Sequence, residues 1–262
     1  MNEKEGKRMG KIISITNQKG GVGKTTTALN LGACLNEKGY KVLLIDLDPQ
    51  QNLTDACGID SEESNTMYEV MKGVVKVKEV IKNTEHCDIL PSSITLAGLE
   101  QELSSRTGKE YCLKEALEEI QDNYDYIIID TPPSLGILTI NALTSSDKVI
   151  IPSNASKFAV SGIVQLADTV KNVKKYCNKN LEIEGIVFTM HNPKTNVSKA
   201  ILKGTKELGE QLNAPIYQTF IRKSVAVEEA TISQKTIIDY NEKNTVAIDY
   251  MELTKEFLEK IS

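Results

Sequence analysis

The sequence lacks several features that would assign it to whole classes of protein. Its five cysteines are scattered singly, without a Cys-x-x-Cys pair, which argues against a disulfide framework or a thiolate metal centre. No apolar run approaches the roughly 20 residues of a membrane-spanning helix, and the N-terminal residues lack the apolar segment of a secretion signal. No internal repeat or low-complexity linker is found. These absences favour a cytoplasmic protein with reduced thiols.

The composition is that of an ordinary globular protein. Hydrophobic residues make up 40% and charged residues 26% of 262 residues, which suits one α/β domain. We expect this domain to cover residues 11–262, after a flexible tail at 1–10. The net charge is −5, yet residues 157–235 carry 12 Lys/Arg against 7 Asp/Glu. On charge alone, this basic segment indicates a nucleic-acid surface and an ordinary solvated surface about equally.

A glycine-rich loop is the strongest signal in the chain. Residues 19–25, Lys-Gly-Gly-Val-Gly-Lys-Thr, lie between an apolar run that predicts a strand and a run of helical periodicity. Glycines there allow main-chain N–H groups to face phosphates, and the helix N-terminus adds a favourable dipole. We expect Lys24 to reach the β- and γ-phosphates and Thr25 to hold Mg²⁺. The predicted nucleotide contacts in this loop are Lys19, Gly20, Gly21, Val22, Gly23, Lys24, Thr25 and Thr26.

Two further apolar runs end in acids. Residues 42–45 precede Asp46 and Asp48, and residues 126–129 precede Asp130. Such continuous apolar runs predict strands buried on both faces, and hence a doubly wound, mostly parallel sheet with helices on both faces. Ligands of such sheets bind at the carboxyl ends of the strands. We therefore expect Asp46, Asp48 and Asp130 near Mg²⁺, with Asp130 in the Walker B position.

Other runs of the chain predict the surrounding elements by their periodicity. Helices are predicted near 66–71, 77–81, 96–103, 111–120, 137–143, 159–176, 196–212 and 246–260. Strands are predicted near 87–91, 147–152, 183–190 and 215–217.

Three motifs resemble those of the ParA/MinD ATPases, the deviant Walker A group of P-loop proteins. The first is the glycine loop with its additional lysine, Lys19. The second is residues 46–54, which are similar to the family's switch I, Asp-x-Asp-Pro-Gln-Gly-Asn-x-Thr, with Gln51 in place of the glycine. The third is residues 130–136, Asp-Thr-Pro-Pro-Ser-Leu-Gly, which resemble switch II. The resemblance extends from Lys11 to the last predicted helix.

The resemblance implies an ATPase that uses ATP, ADP and Mg²⁺ and acts as a nucleotide-dependent homodimer. Lys19 would contact the nucleotide of the partner subunit, and Lys24 and Asp48 would complete the catalytic set, with Asp48 orienting the attacking water. Met190 and Asn192 lie where the family has its adenine contacts.

A DNA-partition function of the ParA type is implied by two late segments. Lys194 takes the place of a basic residue before Thr-Asn, and residues 221–230 resemble the family's Ile-Pro-Arg-Asn-Val-Arg-Leu-Ser-Glu-Ala. Lys194, Arg222 and Lys223 would contact duplex DNA without base recognition, while Ala226 replaces a second family arginine. The family also implies a ParB-type partner with a basic N-terminal peptide, and association with the nucleoid in the ATP state.

Related functions are less compatible with the residues. MinD-type proteins bind membranes through a basic amphipathic C-terminal helix, whereas residues 249–260 are net acidic. Nitrogenase iron proteins need cluster-binding cysteines, and none lies near the switch II segment. Bacterial tyrosine kinases of similar core carry a C-terminal tyrosine cluster, which this chain lacks. The remaining alternative is an adaptor ATPase that positions a protein cargo without binding DNA, because a shared core supports several functions.

Overall fold

The fold was analysed in a computed structural model. It describes residues 9–62, 64–154, 156, 159–192, 204–210 and 212–261. The predicted tail at 1–10 lies mostly outside this range, as does most of the predicted helix 196–212, of which residues 204–210 and 212 are described and helical.

A seven-stranded sheet forms the centre of the described part of the chain, in the order β3-β4-β2-β5-β1-β6-β7. Every pair of neighbours is parallel except β3 and β4, which are antiparallel at one edge. The predicted doubly wound, mostly parallel sheet is therefore confirmed. The strands are β1 (Lys11–Ile15), β2 (Val42–Asp46), β3 (Lys82–Asn83), β4 (Asp88–Leu90), β5 (Tyr126–Asp130), β6 (Lys148–Asn154) and β7 (Glu182–Thr189).

The central strands are apolar throughout because helices cover both faces of the sheet. Leu44 and Ile128 point into one hydrophobic cluster, and their neighbours Leu43 and Ile127 point into another. All four are at most 1% exposed. Burying an aliphatic side chain of this size contributes about 1.5–3 kcal/mol, so these strands anchor the fold and fix where their acidic ends lie.

The helices agree with the predicted positions for most of the chain. The helix predicted at 96–103 is a 3-10 segment, Ile94–Gly98, followed by a short α-helix, and the one predicted at 111–120 begins with the 3-10 turn Lys109–Tyr111. Besides the helical residues near 204–210, the α-helices of the described ranges are α1 (Lys24–Glu37), α2 (Asn52–Ala56), α3 (Met67–Lys72), α4 (Val77–Val80), α5 (Leu99–Glu102), α6 (Cys112–Glu118), α7 (Ile137–Ser145), α8 (Ala159–Tyr176), α9 (Ala226–Ile232), α10 (Ile237–Asn241) and α11 (Thr245–Ile261).

The last helix, α11, packs on α1 over one face of the sheet. Phe257 and Leu253 are fully buried in the same cluster as Leu31 of α1. Close packing of α1 on β2 requires Gly32, since a Cβ there would lie 2.7 Å from Leu44 Cδ2. None of the described helices is both long and apolar enough to cross a membrane.

Several elements differ from the sequence prediction, among them the short helix α2, which was not predicted. The strand predicted at 215–217 is a single bridge between Ile216 and Ile186. The two-residue edge strand β3 was not predicted, because two residues carry no periodicity. Helices α9 and α10 were also missed, although Thr236 caps α10 by accepting a hydrogen bond from the Asp239 N–H (3.2 Å).

Candidate functional site

The loop between β1 and α1 has the geometry of a phosphate-binding loop. Gly21 and Gly23 have φ of +68° and +80°, a region in which side chains are unfavourable. The first turn of α1 follows directly, with the Thr27 N–H donating to the Gly23 carbonyl at 2.9 Å. Val22 is buried, and its carbonyl accepts from the Thr189 hydroxyl at 2.7 Å. The loop is thereby fixed to the end of β7.

Lys24 is the buried cation of this loop. It is only 7% exposed, and its Nζ donates to the Lys19 carbonyl at 3.3 Å. Burial lowers the pKa of Lys24, and the negative charges of Asp130 and Asp48 oppose that shift. An amine held in this way provides counter-charge for an anion bound in the loop.

Asp130 ends β5 directly beside Asp46, with which it is in register. It is fully buried, and neither carboxylate oxygen has a hydrogen-bond partner among the described residues. Burial raises its pKa well above the ordinary value, and repulsion from Asp46 adds to this. The nearby Thr25 hydroxyl lowers the pKa of Asp130 and so opposes this shift. Its position does not meet the geometric criteria for a hydrogen bond to the carboxylate. An orphaned buried carboxylate of this kind needs an ion or water partner.

These residues fit a hydrated Mg²⁺ bound with nucleotide. In the described ranges, no group of three or more His, Cys, Asp or Glu side chains is placed to hold a metal directly. Mg²⁺ typically keeps several waters and takes few protein ligands beside substrate phosphates. Thr25 and Asp130 together suit that arrangement: the Thr25 hydroxyl would hold the ion, and the Asp130 carboxylate would accept hydrogen bonds from its water.

The two acids at the end of β2 have different surroundings. Asp48 is 7% exposed and lines the cavity in front of the phosphate loop. Asp46 is fully buried and does not line that cavity. Its oxygens accept from the Asp48 N–H (3.0 Å) and from the N–H and hydroxyl of Thr54 (2.9 and 2.8 Å). Burial raises the pKa of Asp46 to about 7, against these hydrogen bonds. These contacts make Asp46 a support of the turn, and its predicted Mg²⁺ contact stays a prediction.

A cavity of about 400 Å³ lies against the loop. Its described lining includes Lys24, Thr25, Asp48 and Met190. A second cavity of about 400 Å³, which is more apolar, adjoins it and shares Gly23 and Met190. The second cavity has the character of a base pocket. Met190 lines both cavities, whereas Asn192 is exposed and lines neither. The adenine contacts predicted for these two residues stay predictions.

The Lys19 side chain contacts the end of β6. Its Nζ donates to Asn154 Oδ1 (3.1 Å), in the last residue of β6, and to the Ser156 hydroxyl (2.6 Å), two residues further on. Lys19 does not line the cavity in this single chain. Its predicted contact with a partner's nucleotide stays a prediction.

The three predicted DNA contacts have different outcomes. Lys194 lies outside the described residues. Lys223 is exposed and makes no ion pair within the described part of the chain. Arg222 is bound to Asp249, with Nη2–Oδ1 at 2.6 Å and Nε–Oδ2 at 3.0 Å. Arg222 therefore has a structural contact that the sequence did not indicate, and is a weaker candidate for phosphate binding than predicted.

Sequence reasoning also missed part of the cavity wall. Val227, Thr231 and Lys235, in and just after α9, line the first cavity. Their position depends on Asn30 of α1, whose Oδ1 accepts from the Ile237 N–H at 2.8 Å. The sequence did carry one signal of this contact, namely Asn30 within an otherwise apolar helical run. A buried amide needs a hydrogen-bond partner, so Asn30 indicated a contact with another segment.

A glycine loop between a buried strand and a helix, together with acids at the ends of the neighbouring strands, defines the class of P-loop nucleotide-binding proteins. Comparison with known proteins refines this class. The AAA domain family matches residues 10–183. The sporulation initiation inhibitor protein Soj of Bacillus subtilis is 46% identical over 95% of this chain and 98% of its own. The chromosome partitioning protein ParA of Caulobacter vibrioides is 37% identical over 95% and 94%. The chain belongs to the ParA/Soj family of P-loop ATPases.

Solved structures agree with this assignment. A cobyrinic acid a,c-diamide synthase from Mycobacterium smegmatis with bound ADP and magnesium has a TM-score of 0.84 at 34% identity, covering 96% of this chain and 95% of that one. McdA from Cyanothece has a TM-score of 0.86 at 25% identity, covering 96% and 99%. A plasmid partition protein from Borrelia burgdorferi bound to AMPPNP has a TM-score of 0.75 at 30% identity, covering 96% and 98%.

Proposed function

We propose that this chain is a Mg²⁺-dependent ATPase that acts in DNA partitioning. The observation that carries the ATPase part is the buried carboxylate of Asp130 beside Thr25 and Lys24 at the phosphate loop, which has no hydrogen-bond partner among the described residues. The partitioning part is supported by the similarity to Soj and ParA over nearly the whole chain.

Each residue of the site has a distinct role in this proposal. Lys24 and the loop N–H groups bind the β- and γ-phosphates and offset the charge that develops in phosphoryl transfer. Mg²⁺ supplies further charge neutralisation at the phosphates. Thr25 provides a hydroxyl for the ion, and Asp130 accepts hydrogen bonds from its water shell. Asp48, at the mouth of the cavity, orients the attacking water.

The nucleotide state would control assembly and DNA binding. ATP closes two subunits, and Lys19 exchanges its contacts with Asn154 and Ser156 for the partner's nucleotide. The closed dimer doubles the basic contacts, including Lys223, so that it binds duplex DNA of any sequence. Hydrolysis, accelerated by a ParB-type partner with a basic N-terminal peptide, releases the DNA. The protein would act in the cytoplasm, on the nucleoid when bound to ATP.

The test is binding and turnover of ATP in Lys24→Ala. Loss of this charged contact should weaken the affinity for a fluorescent ATP analogue about tenfold to 100-fold and abolish hydrolysis. Lys38→Ala, at the exposed end of the same helix, is the matched control and should behave as wild type. Unchanged affinity in Lys24→Ala, with an intact circular dichroism spectrum, would remove the phosphate-loop assignment.

The similarity to McdA favours one alternative, an ATPase that positions a protein cargo. The two functions differ in whether the ATP-bound dimer binds DNA. A wild-type dimer that forms with ATP but retains no DNA at low salt would favour the adaptor function over partitioning.

A further inference from the structure

The turn between β2 and α2 carries Asp48 and is held by buried hydrogen bonds. The Asp48 N–H donates to Asp46 Oδ1 at 3.0 Å. The N–H and the hydroxyl of Thr54 both donate to Asp46 Oδ2, at 2.9 and 2.8 Å. Asp46 and Thr54 are fully buried. The start of the turn is thus joined to α2 through one carboxylate.

Ser92 joins the same turn to the neighbouring strand. It lies just after β4, which pairs in parallel with β2. Its N–H donates to Thr54 Oγ1 at 2.9 Å, and its hydroxyl donates to the Asp48 carbonyl at 2.8 Å. Ser92 is also fully buried. The N–H and the carbonyl of Asp48 are therefore both held, the first by the last residue of β2 and the second by the segment after β4.

The conformation of the turn depends on these contacts because it contains a strained residue. Gln51, which precedes α2, has φ of +51° and ψ of 25°. A residue with a side chain persists in this left-handed region only where its surroundings hold it. The Gln51 N–H donates to the Asp48 carbonyl at 2.8 Å, the same oxygen that Ser92 contacts. Gln51 Oε1 accepts from the Ser61 hydroxyl at 3.0 Å.

We propose that Thr54 and Ser92 are positioning residues for Asp48. Their hydroxyl groups hold the turn so that the Asp48 carboxylate keeps the orientation that ATP hydrolysis requires. This inference rests on the proposed function, since it takes Asp48 as the group that orients the attacking water. In the described part of the chain, the Asp48 carboxylate itself accepts one hydrogen bond, from the Gln50 N–H at 3.0 Å. That donor belongs to the same turn, so the main chain of the turn sets the orientation of the carboxylate.

The experiment measures steady-state hydrolysis and nucleotide affinity in three variants. Ser92→Ala removes the contact with the Asp48 carbonyl, and Thr54→Val removes a hydroxyl at nearly constant volume. Each variant should lower kcat about tenfold, because the Asp48 carboxylate loses its orientation. KM and the affinity for a non-hydrolysable ATP analogue should change less than about twofold, because nucleotide binding is kept. Thr54→Ser retains the hydroxyl and should restore kcat to within about threefold of wild type.

Two controls separate positioning from general stability. Ser93→Ala removes the adjacent hydroxyl, which contacts Thr66 and Thr95 outside the turn. Thr144→Val removes a buried hydroxyl that has no partner within the described ranges. Both controls should leave kcat unchanged.

Epistasis with Asp48 provides the decisive comparison. If the two hydroxyls act through Asp48, then Ser92→Ala and Thr54→Val should cause no further loss of the residual rate of Asp48→Ala. Additional, multiplicative losses in that background would overturn the proposal, and so would equal losses in Thr54→Ser and Thr54→Val. Should Thr54→Val fail to fold, Ser92→Ala carries the same comparison alone.

Failure of the ATPase proposal and failure of the positioning proposal would give different results in these measurements. Wild-type protein that bound the analogue but hydrolysed no Mg-ATP would overturn the ATPase proposal, and the positioning proposal with it. Active wild type with unchanged kcat in Ser92→Ala and Thr54→Val would overturn the positioning proposal alone.

Discussion

Arg222 and Asp249 form an ion pair that joins the segment after β7 to the last helix. The Arg222 Nη2 lies 2.6 Å from Asp249 Oδ1, and the Arg222 N–H donates to Oδ2 at 2.9 Å. Arg222 also donates to the Thr245 carbonyl at 3.0 Å, in the first turn of α11. The pair lies at the rim of the apolar cavity, whose lining includes Arg222 and Lys223. It therefore fixes one wall of this apolar cavity.

The first prediction concerns the stability that this pair provides. Arg222→Ala leaves the Asp249 carboxylate, which is 8% exposed, without its main partner. We expect a loss of about 1–2 kcal/mol in the free energy of unfolding, discounted because the Arg222 side chain is half exposed. Urea denaturation followed by circular dichroism measures this loss. Lys223→Ala, the adjacent control without an ion pair, should unfold as wild type does, and equal stability of the two variants would contradict the prediction.

The second prediction concerns Asp130 and pH. Burial raises the pKa of Asp130 in the folded state above its unfolded value. The unfolded state therefore loses this proton at a lower pH than the folded state does. As pH rises above about 4, the free energy of unfolding consequently falls. Asp130→Asn removes the buried charge, so nucleotide-free protein should be about 1–3 kcal/mol more stable than wild type at pH 8. The difference should shrink at pH 5.

Thermal unfolding at the two pH values measures this effect, and Asp122→Asn provides an exposed control. Hydrolysis of Mg-ATP should fall in Asp130→Asn, because the amide is a weaker acceptor for metal-bound water. A variant that was less stable than wild type at pH 8 would show that Asp130 is a structural acid.

Much of this site is readable from the sequence, because it rests on local patterns. The phosphate loop and the strand-ending acids lie within a few residues of the apolar runs that define their strands. The contacts that were missed join residues far apart in the chain: Arg222 with Asp249, Ser92 with Thr54, and Asn30 with Ile237. Pairing at such separation leaves no periodicity to detect. The resemblance assigned Arg222 to DNA but gave no sign of its ion pair with Asp249.

The third prediction separates dimer closure from nucleotide binding. Lys19→Ala should bind an ATP analogue with wild-type affinity yet remain monomeric, because the lysine is proposed to act across the subunit interface. Asp48→Ala should accumulate as an ATP-bound dimer, since slow hydrolysis keeps the interface closed. Light scattering with ATP measures both, with Lys38→Ala as the control. An ATP dimer in Lys19→Ala and none in Asp48→Ala would reverse the two assignments.

The last prediction concerns DNA binding by the ATP dimer. Wild type with Mg-ATP should retain duplex DNA of any sequence, release it with ADP, and bind more weakly as salt rises, because each phosphate contact displaces counterions. Lys194→Ala and Lys223→Ala should each reduce the salt slope by about 1 per contact removed, and weaken binding equally across sequences. Fluorescence anisotropy at several salt concentrations measures the slope.

Arg222→Ala requires separate interpretation in that experiment, because loss of its ion pair with Asp249 changes the fold locally. Arg222→Lys keeps the charge but not the planar geometry of the pair. Weaker DNA binding in both variants, at intact dimerisation, would assign the loss to the fold around Asp249. Lys78→Ala, an exposed lysine on α4, serves as the matched control and should keep the wild-type slope. If Lys194→Ala and Lys223→Ala combined bound DNA as tightly as Lys78→Ala does at every salt concentration, DNA would have to contact another surface, and partitioning through these residues would be excluded.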